Sequence, residues 1–164
     1  MTLPREIQVT DHRRPARWLA LTAVALTLMA ALGVVLRAQS QARVIVNGQT
    51  LTVDLADTPA LQVRGLSGRS QLGPDQGMLF TYDDEGDRVF WMRGMLIPID
   101  MIWLRNTRVL HIESSVPPPK PGTPENELPL YHSEEPANLV LELAAGRAKE
   151  LGMKPGDRVR IELR

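Results

Sequence analysis

The sequence predicts a mostly β domain, a compact small barrel or sandwich with one or two short helices, preceded by an N-terminal transmembrane helix. Three observations carry this expectation. Trp18 to Leu36 is a stretch of nineteen residues without a charge. Asn47-Gly48 sits between two short alternating apolar segments, the signal of a type I′ hairpin turn. Beyond the hairpin, apolar runs of strand length recur at close spacing with turn-rich pieces between them, which is the rhythm of an all-β unit.

Residues 1–17 read as a basic cytoplasmic tail. Arg13, Arg14 and Arg17 before the span outnumber Arg37 after it, and the positive-inside rule holds the more basic end in the cytoplasm. As a helix, residues 18–36 would run about 28 Å, close to the hydrocarbon thickness of a bilayer. Trp18 suits an interfacial anchor. The segment has no polar face, so it does not read as a buried core helix. Ala38, Ser40 and Ala42 offer the small residues of a cleavage site, but secretory apolar cores are shorter, about 7–15 residues. A retained signal anchor in the inner membrane is therefore expected, with the lipid bilayer a partner through residues 18–36. Secretion after cleavage is the alternative. Either way residues 44–164 form an extracytoplasmic, periplasmic β domain.

After a linker at 37–43, Val44-Ile45-Val46 and Leu51 to Leu55 form the two arms of the hairpin. Asp57-Thr58-Pro59 opens a short helix, with Thr58 the cap and Pro59 at the first helical position; Gly65 and Gly68 interrupt it. Strands follow at Met78–Tyr82, Arg88–Met92, Ile97–Leu104 and Arg108–Val116, with Asp83–Asp87 and Arg105–Thr107 as turns. Six prolines between 117 and 130 make that piece an extended surface loop with polyproline character. Asn138–Leu143 resumes strand character, Ala144–Leu151 makes a short helix closed by Gly152, and a last strand alternates Val159, Ile161 and Leu163 with charged residues.

Composition narrows the function. Residues 43–164 carry fourteen basic and seventeen acidic side chains, a mildly acidic body that argues against nucleic-acid binding. The chain has no cysteine and three scattered histidines, His12, His111 and His132. Disulfides, thiolate metal sites and cysteine nucleophiles are thereby excluded, and no metal site or cofactor is expected. The glycines at 65, 68, 73 and 77 lack the Lys-Ser/Thr of a phosphate loop and read as turn residues. The acidic run at 83–87 lacks the spacing of a calcium loop.

Gly65-Leu66-x-x-Arg69, Gly77-Met78-Leu79-Phe80, Trp91-Met92, Pro98-x-Asp100 and a closing Gly156-Asp157 occur in that order. With this set the chain resembles the family catalogued as domain of unknown function 192, over about residues 43–164. The resemblance implies a compact, mostly β fold, often exported behind a hydrophobic segment, and no agreed activity. Two departures stand out. The family usually has methionine after Gly-Leu, where this chain has Ser67, and Asn-Thr after Trp-Met and a basic residue, where it has Gly94-Met95.

Four residues are candidates for a ligand site: Arg69, Trp91, Asp100 and Glu142. Trp91 lies in an aromatic-rich stretch with Phe80, Tyr82, Phe90 and Trp103; such residues either pack a core or line a groove for a sugar or peptide. Asp100 shares a strand face with Pro98, Ile102 and Leu104, so it needs a cation or donors. Arg69 is the expected partner in a salt bridge, with Arg64 the alternative. Glu142 alternates with Leu141 and Leu143 on an apolar strand and offers a second carboxylate for acid/base chemistry. His111, alternating with Val109 and Glu113, is expected on a solvated face. The leading expectation is a non-catalytic module that binds an envelope ligand or partner protein. The alternatives are an envelope hydrolase using Asp100 and Glu142, or a structural accessory docking through its proline-rich loop.

Overall fold

Asn47 and Gly48 take φ of +47° and +82°, the left-handed pair that a type I′ turn requires. They fold β1 (Gln41–Val46) back onto β2 (Gln49–Ala56). Val44 then faces Leu51, and Ala42, Val44, Val46, Leu51, Val53 and Leu55 share one buried face. The structure is a computed structural model that describes residues 40–163. The expected tail at 1–17, the span at 18–36 and the start of the linker lie outside the described residues. No helix among the described residues is long and apolar enough to cross a membrane.

The remaining elements are α1 (Pro59–Arg64), β3 (Gln76–Gly86), β4 (Val89–Trp91), β5 (Ile99–Arg105), β6 (Arg108–Val116), β7 (Leu130–His132), β8 (Ala137–Ala144), α2 (Arg147–Glu150) and β9 (Arg160–Leu163). Seven strands form one sheet in the order β6-β5-β8-β3-β2-β1-β9, and β4 pairs with β7 in a second, two-stranded sheet. Only β2 and β3 are parallel neighbours. That pairing needs a crossover, and α1 with the glycine-rich turn after it supplies one.

The large sheet is open, which corrects the barrel form of the expected barrel or sandwich. Its edges touch at one point, an isolated bridge between Arg108 and Arg158. Pairing goes no further because β9 runs antiparallel past the beginning of β6. Before Arg108 the chain turns at Asn106, whose φ is +56°, so β6 offers no further strand for β9 to pair with. The other edge of β9 is occupied by β1, where Arg160 faces Ile45.

Both faces of the central strands are covered, so β5 reads as six consecutive buried residues, Ile99 to Leu104. Leu79, Ile102, Leu141 and Leu143 join the hairpin residues in one cluster. Met78, Phe80, Met101, Trp103 and Val140 face the other way and meet Leu66, Phe90, Met92 and Met95. These last four come from the turn after α1 and from the β4 region. A covering layer of loops and a two-stranded sheet thus lies over one face of the large sheet.

Two local expectations shift. The acidic run at 83–87 is not a turn tip; β3 continues through Gly86 with Asp83, Asp84 and Glu85 exposed, and Arg88 folds back onto Asp84 at 2.7 Å. The helix expected from Ala144 begins at Arg147, because β8 runs to Ala144 and Gly146 turns with φ +82°. Gly152, with φ +67°, lets its own N–H reach the Lys149 carbonyl (3.0 Å) and the Met153 N–H reach that of Ala148 (2.9 Å), closing α2 as expected.

Candidate functional site

Thr58 caps α1 by accepting from the Leu61 N–H at 3.4 Å, and Pro59 occupies its first turn. The helix stops at Gly65, whose φ of +49° and ψ of −140° no side chain adopts comfortably. The turn that follows is tied to the segment after β4. Gly68 N–H donates to the Gly94 carbonyl at 2.9 Å, and the Ser67 hydroxyl donates to the Arg93 carbonyl at 2.8 Å. Gly94 has φ +68°, and a Cβ there would lie 3.3 Å from that of Ser67. The two departures from the motif pattern, Ser67 and Gly94, are therefore neighbours in space and act as one feature.

Beneath this turn lies a cavity of about 80 Å³, lined among others by Gly65, Phe80, Tyr82, Trp91, Arg93 and Glu142. Glu142 forms its floor. It sits on β8 directly between Met78 of β3 and Met101 of β5, and it is 4% exposed. Its Oε2 is buried without a hydrogen-bond partner. Burial pushes this carboxyl up to about 8, against the opposing pull of the Arg69 guanidinium. At neutral pH it is a neutral acid with a proton to donate.

Aromatic rings make the walls. Phe80 meets Phe90 edge-on at 4.9 Å, and Phe90 meets Trp103 in the same way at 6.3 Å. The indole N–H of Trp103 donates to the Arg88 carbonyl at 3.1 Å, which locks the stack to the strand behind it. Burial raises the Tyr82 hydroxyl above its usual range; the Arg88 guanidinium, 4.0 Å over the ring, works against that rise and Glu142 adds to it. At the mouth Trp91 is 40% exposed, with the Arg93 guanidinium 4.6 Å over its ring. Val63 and Val89 are also exposed there. The proline-rich loop reaches the outer side of these residues, where Glu125 lies 3.5 Å from Arg93 and β7 pairs Leu130 with Trp91.

Of the four candidate residues, Trp91 and Glu142 come together in this cavity. Arg69 and Asp100 do not. Arg69 binds Asp54 of β2, in place of the expected pair with Asp100. Asp54 was overlooked, although its alternation with Thr52 and Thr50 marks it as a polar position on a paired strand. Asp100 points to the opposite face, next to Ile102 and opposite Leu143. It is fully buried and needs no cation, because three backbone N–H groups converge on it. Ser115 and Gly146 donate to Oδ1 at 2.8 and 2.9 Å, and Ala148 donates to Oδ2 at 2.8 Å.

The hydrolase reading fails on the same geometry. Glu142 shares its face with Met101, and Asp100 precedes Met101 on the strand. Adjacent strand residues point to opposite faces, so the two carboxylates are on opposite sides of the sheet and cannot flank one bond. Arg64, expected instead as an alternative partner of Asp100, and Tyr82, expected only as one of the aromatic stretch, line the cavity, as does Arg93, which was not picked out in the sequence. For Arg93 there was a signal, its place directly after Trp-Met in the motif.

The fold is thus a mostly β domain of two open sheets and two short helices, with the cavity under the turn that follows α1. The chain belongs to the DUF192 family, described as an uncharacterized ACR, whose model matches residues 42–161. It is similar to a crystallised protein of Sinorhizobium meliloti 1021, described as a candidate transcription regulator, with 34% identity and a TM-score of 0.63. That match covers 74% of this chain and 92% of the other. It is also similar to a crystallised protein of unknown function from Novosphingobium aromaticivorans DSM 12444, with 32% identity, a TM-score of 0.62, and coverage of 73% and 83%. No curated protein matches the chain.

Proposed function

We propose that this chain is a non-catalytic, extracytoplasmic binding module, held at the membrane by residues 18–36, whose cavity takes an acylamino group of an envelope saccharide. The observation that carries this reading is Glu142, a buried acid without a partner at the floor of a cavity that opens beside an exposed tryptophan. A buried polar atom left unmade costs about 1–3 kcal/mol. A binding domain tolerates that cost when its ligand supplies the missing partner. The protonated carboxyl would donate to an amide carbonyl, Phe80 would face the methyl group, and the sugar ring would lie against Trp91 at the mouth.

The test is a tryptophan-fluorescence titration of the full-length chain with N-acetylglucosamine oligomers between pH 6 and 9.5. Binding is expected to weaken as pH rises through the Glu142 value of about 8. Glu142→Gln, whose amide also donates, is expected to bind with no such pH dependence, and Glu142→Leu and Trp91→Ala at least about tenfold more weakly, as the loss of one buried hydrogen bond or one stacked ring implies. Binding that ignores both Trp91 and pH, or no binding at all, would refute the assignment.

A further inference from the structure

The geometry points to a second site, independent of the Glu142 cavity: a groove between the two edges of the large sheet that binds a soluble dianionic phosphate between Arg108 and Arg158. The groove has a volume of about 590 Å³ and is lined by residues of the β5–β6 turn, the start of β6, the segment at 155–158 and Glu135, whose carboxylate is held by Arg105. Backbone hydrogen bonds build it. Val109 N–H donates to the Asp157 carbonyl, Gly156 N–H to the Val109 carbonyl and Val159 N–H to the Thr107 carbonyl, all between 2.8 and 2.9 Å. The bonds from 109 to 157 and from 159 to 107 leave Arg108 and Arg158 as a non-hydrogen-bonded antiparallel pair, in which side chains stand closest, with Cα atoms about 4.5 Å apart.

Two like charges directly opposite on neighbouring strands destabilise the pairing. Here no acid relieves them. Among the described residues neither Arg108 nor Arg158 has an ion-pair partner, whereas Arg105 in the same groove binds Glu85 and Glu135. The adjacent Asp157 is spent on its own turn, its carboxylate accepting from the Lys154 N–H at 2.8 Å. Gly156, with φ +95°, leaves the Arg108 guanidinium room beside it, where Nη2 would lie 3.8 Å from a Cβ at that position. Two exposed arginines on directly opposite positions can bring both guanidinium groups to one phosphate, which each can clamp bidentately. A dianion would neutralise both and staple the sheet edges together. Because β9 runs antiparallel to β1, with Arg160 opposite Ile45, the groove lies at the Val46 end of β1, away from Gln41 where the chain enters the sheet. Two guanidinium charges match a doubly charged phosphate, whereas the phosphodiester of a common lipid headgroup carries one charge, which favours a free phosphate or phosphomonoester.

The experiment is a thermal melt of the full-length chain at pH 7.5, with chloride replaced stepwise by inorganic phosphate at constant ionic strength. The parent chain is expected to show a rise in Tm that grows with the logarithm of phosphate concentration, about 3 °C at ten times the Kd. Arg108→Gln and Arg158→Gln are each expected to lose that rise while melting in chloride no lower than the parent, because each removes the repulsion. Glycerophosphoglycerol, a monoanionic diester of the lipid-headgroup type, is expected to give a smaller rise. No rise in the parent, or an equal rise in the double variant, would overturn the site. A diester effect as large as that of phosphate would overturn the assignment to a soluble dianion.

Discussion

Asp100 accepts three backbone N–H groups from two separate segments, β6 and the start of α2, and so ties the two to β5. Asp100→Ala is expected to cost about 3–5 kcal/mol by stranding those donors, measured by urea unfolding. Asp100→Asn is expected to cost about 1–3 kcal/mol, since its amide nitrogen would face the Ala148 N–H, donor against donor. Arg69→Ala should cost only about 1 kcal/mol, for its bond to Asp54 is partly solvated. The Arg69 and Asp100 losses should simply add, because the two residues do not meet. The burial of Asp100 was legible in its alternation with Ile102 and Leu104. Its partners were not, because a bulge at Ser115 and a left-handed Gly146 aim main-chain groups, which no residue type advertises. Glu142 gives a second test. Unfolded, it ionises near 4.5; folded, it keeps its proton to about 8. The folded chain therefore binds the extra proton across that window, and stability falls as pH rises through it, by up to about 1.4 kcal/mol per unit. Glu142→Gln should flatten that part of the profile, and parallel profiles for the two proteins would show that Glu142 does not carry it.

At the scale of elements, the first hairpin was legible because Asn47-Gly48 dictates its own turn and therefore its register. The face of His111 was not. Leu104 pairs with Val109 but Trp103 pairs with His111, so an extra residue at Leu110 turns His111 away from the face of Val109. The imidazole packs against Trp103, 5.4 Å between ring centroids, and is half-buried. Bulges of this kind leave no trace in a period-two pattern. The short α2 has its own dependence on the sheet. Four residues cannot nucleate a helix alone, and two of its N-terminal N–H groups rest on Asp100. In Asp100→Ala, hydrogen exchange at 148–151 should accelerate far more than at β3 or β8; uniform acceleration would mean only global destabilisation. In the parent, β4 and β7 should exchange before the large sheet, since two strands with exposed Val89, Trp91 and Leu130 bury little to hold them.

Across the whole molecule, the order of short strands announced a mostly β domain, and the apolar run of β5 announced burial on both faces. Closure was the part that failed, since it depends on where β9 passes β6 and not on the composition of either strand. The proposed anchor at 18–36 belongs to this scale too. Protease added to spheroplasts should digest the body of the chain; a protected full-length chain would contradict the proposed topology. Beneath the motif-built turn Asp54 is paired with Arg69 while Glu142 lines the cavity, and the proposed binding role depends on Glu142 being neutral and unpartnered. Carbon-13 titration of the Glu142 carboxyl in the full-length chain measures this directly. The account predicts a midpoint near 8. A midpoint in the ordinary range for glutamate, about 4–5, would contradict it, since the carboxyl would then already be solvated or paired and the cavity would have no unmet donor to offer.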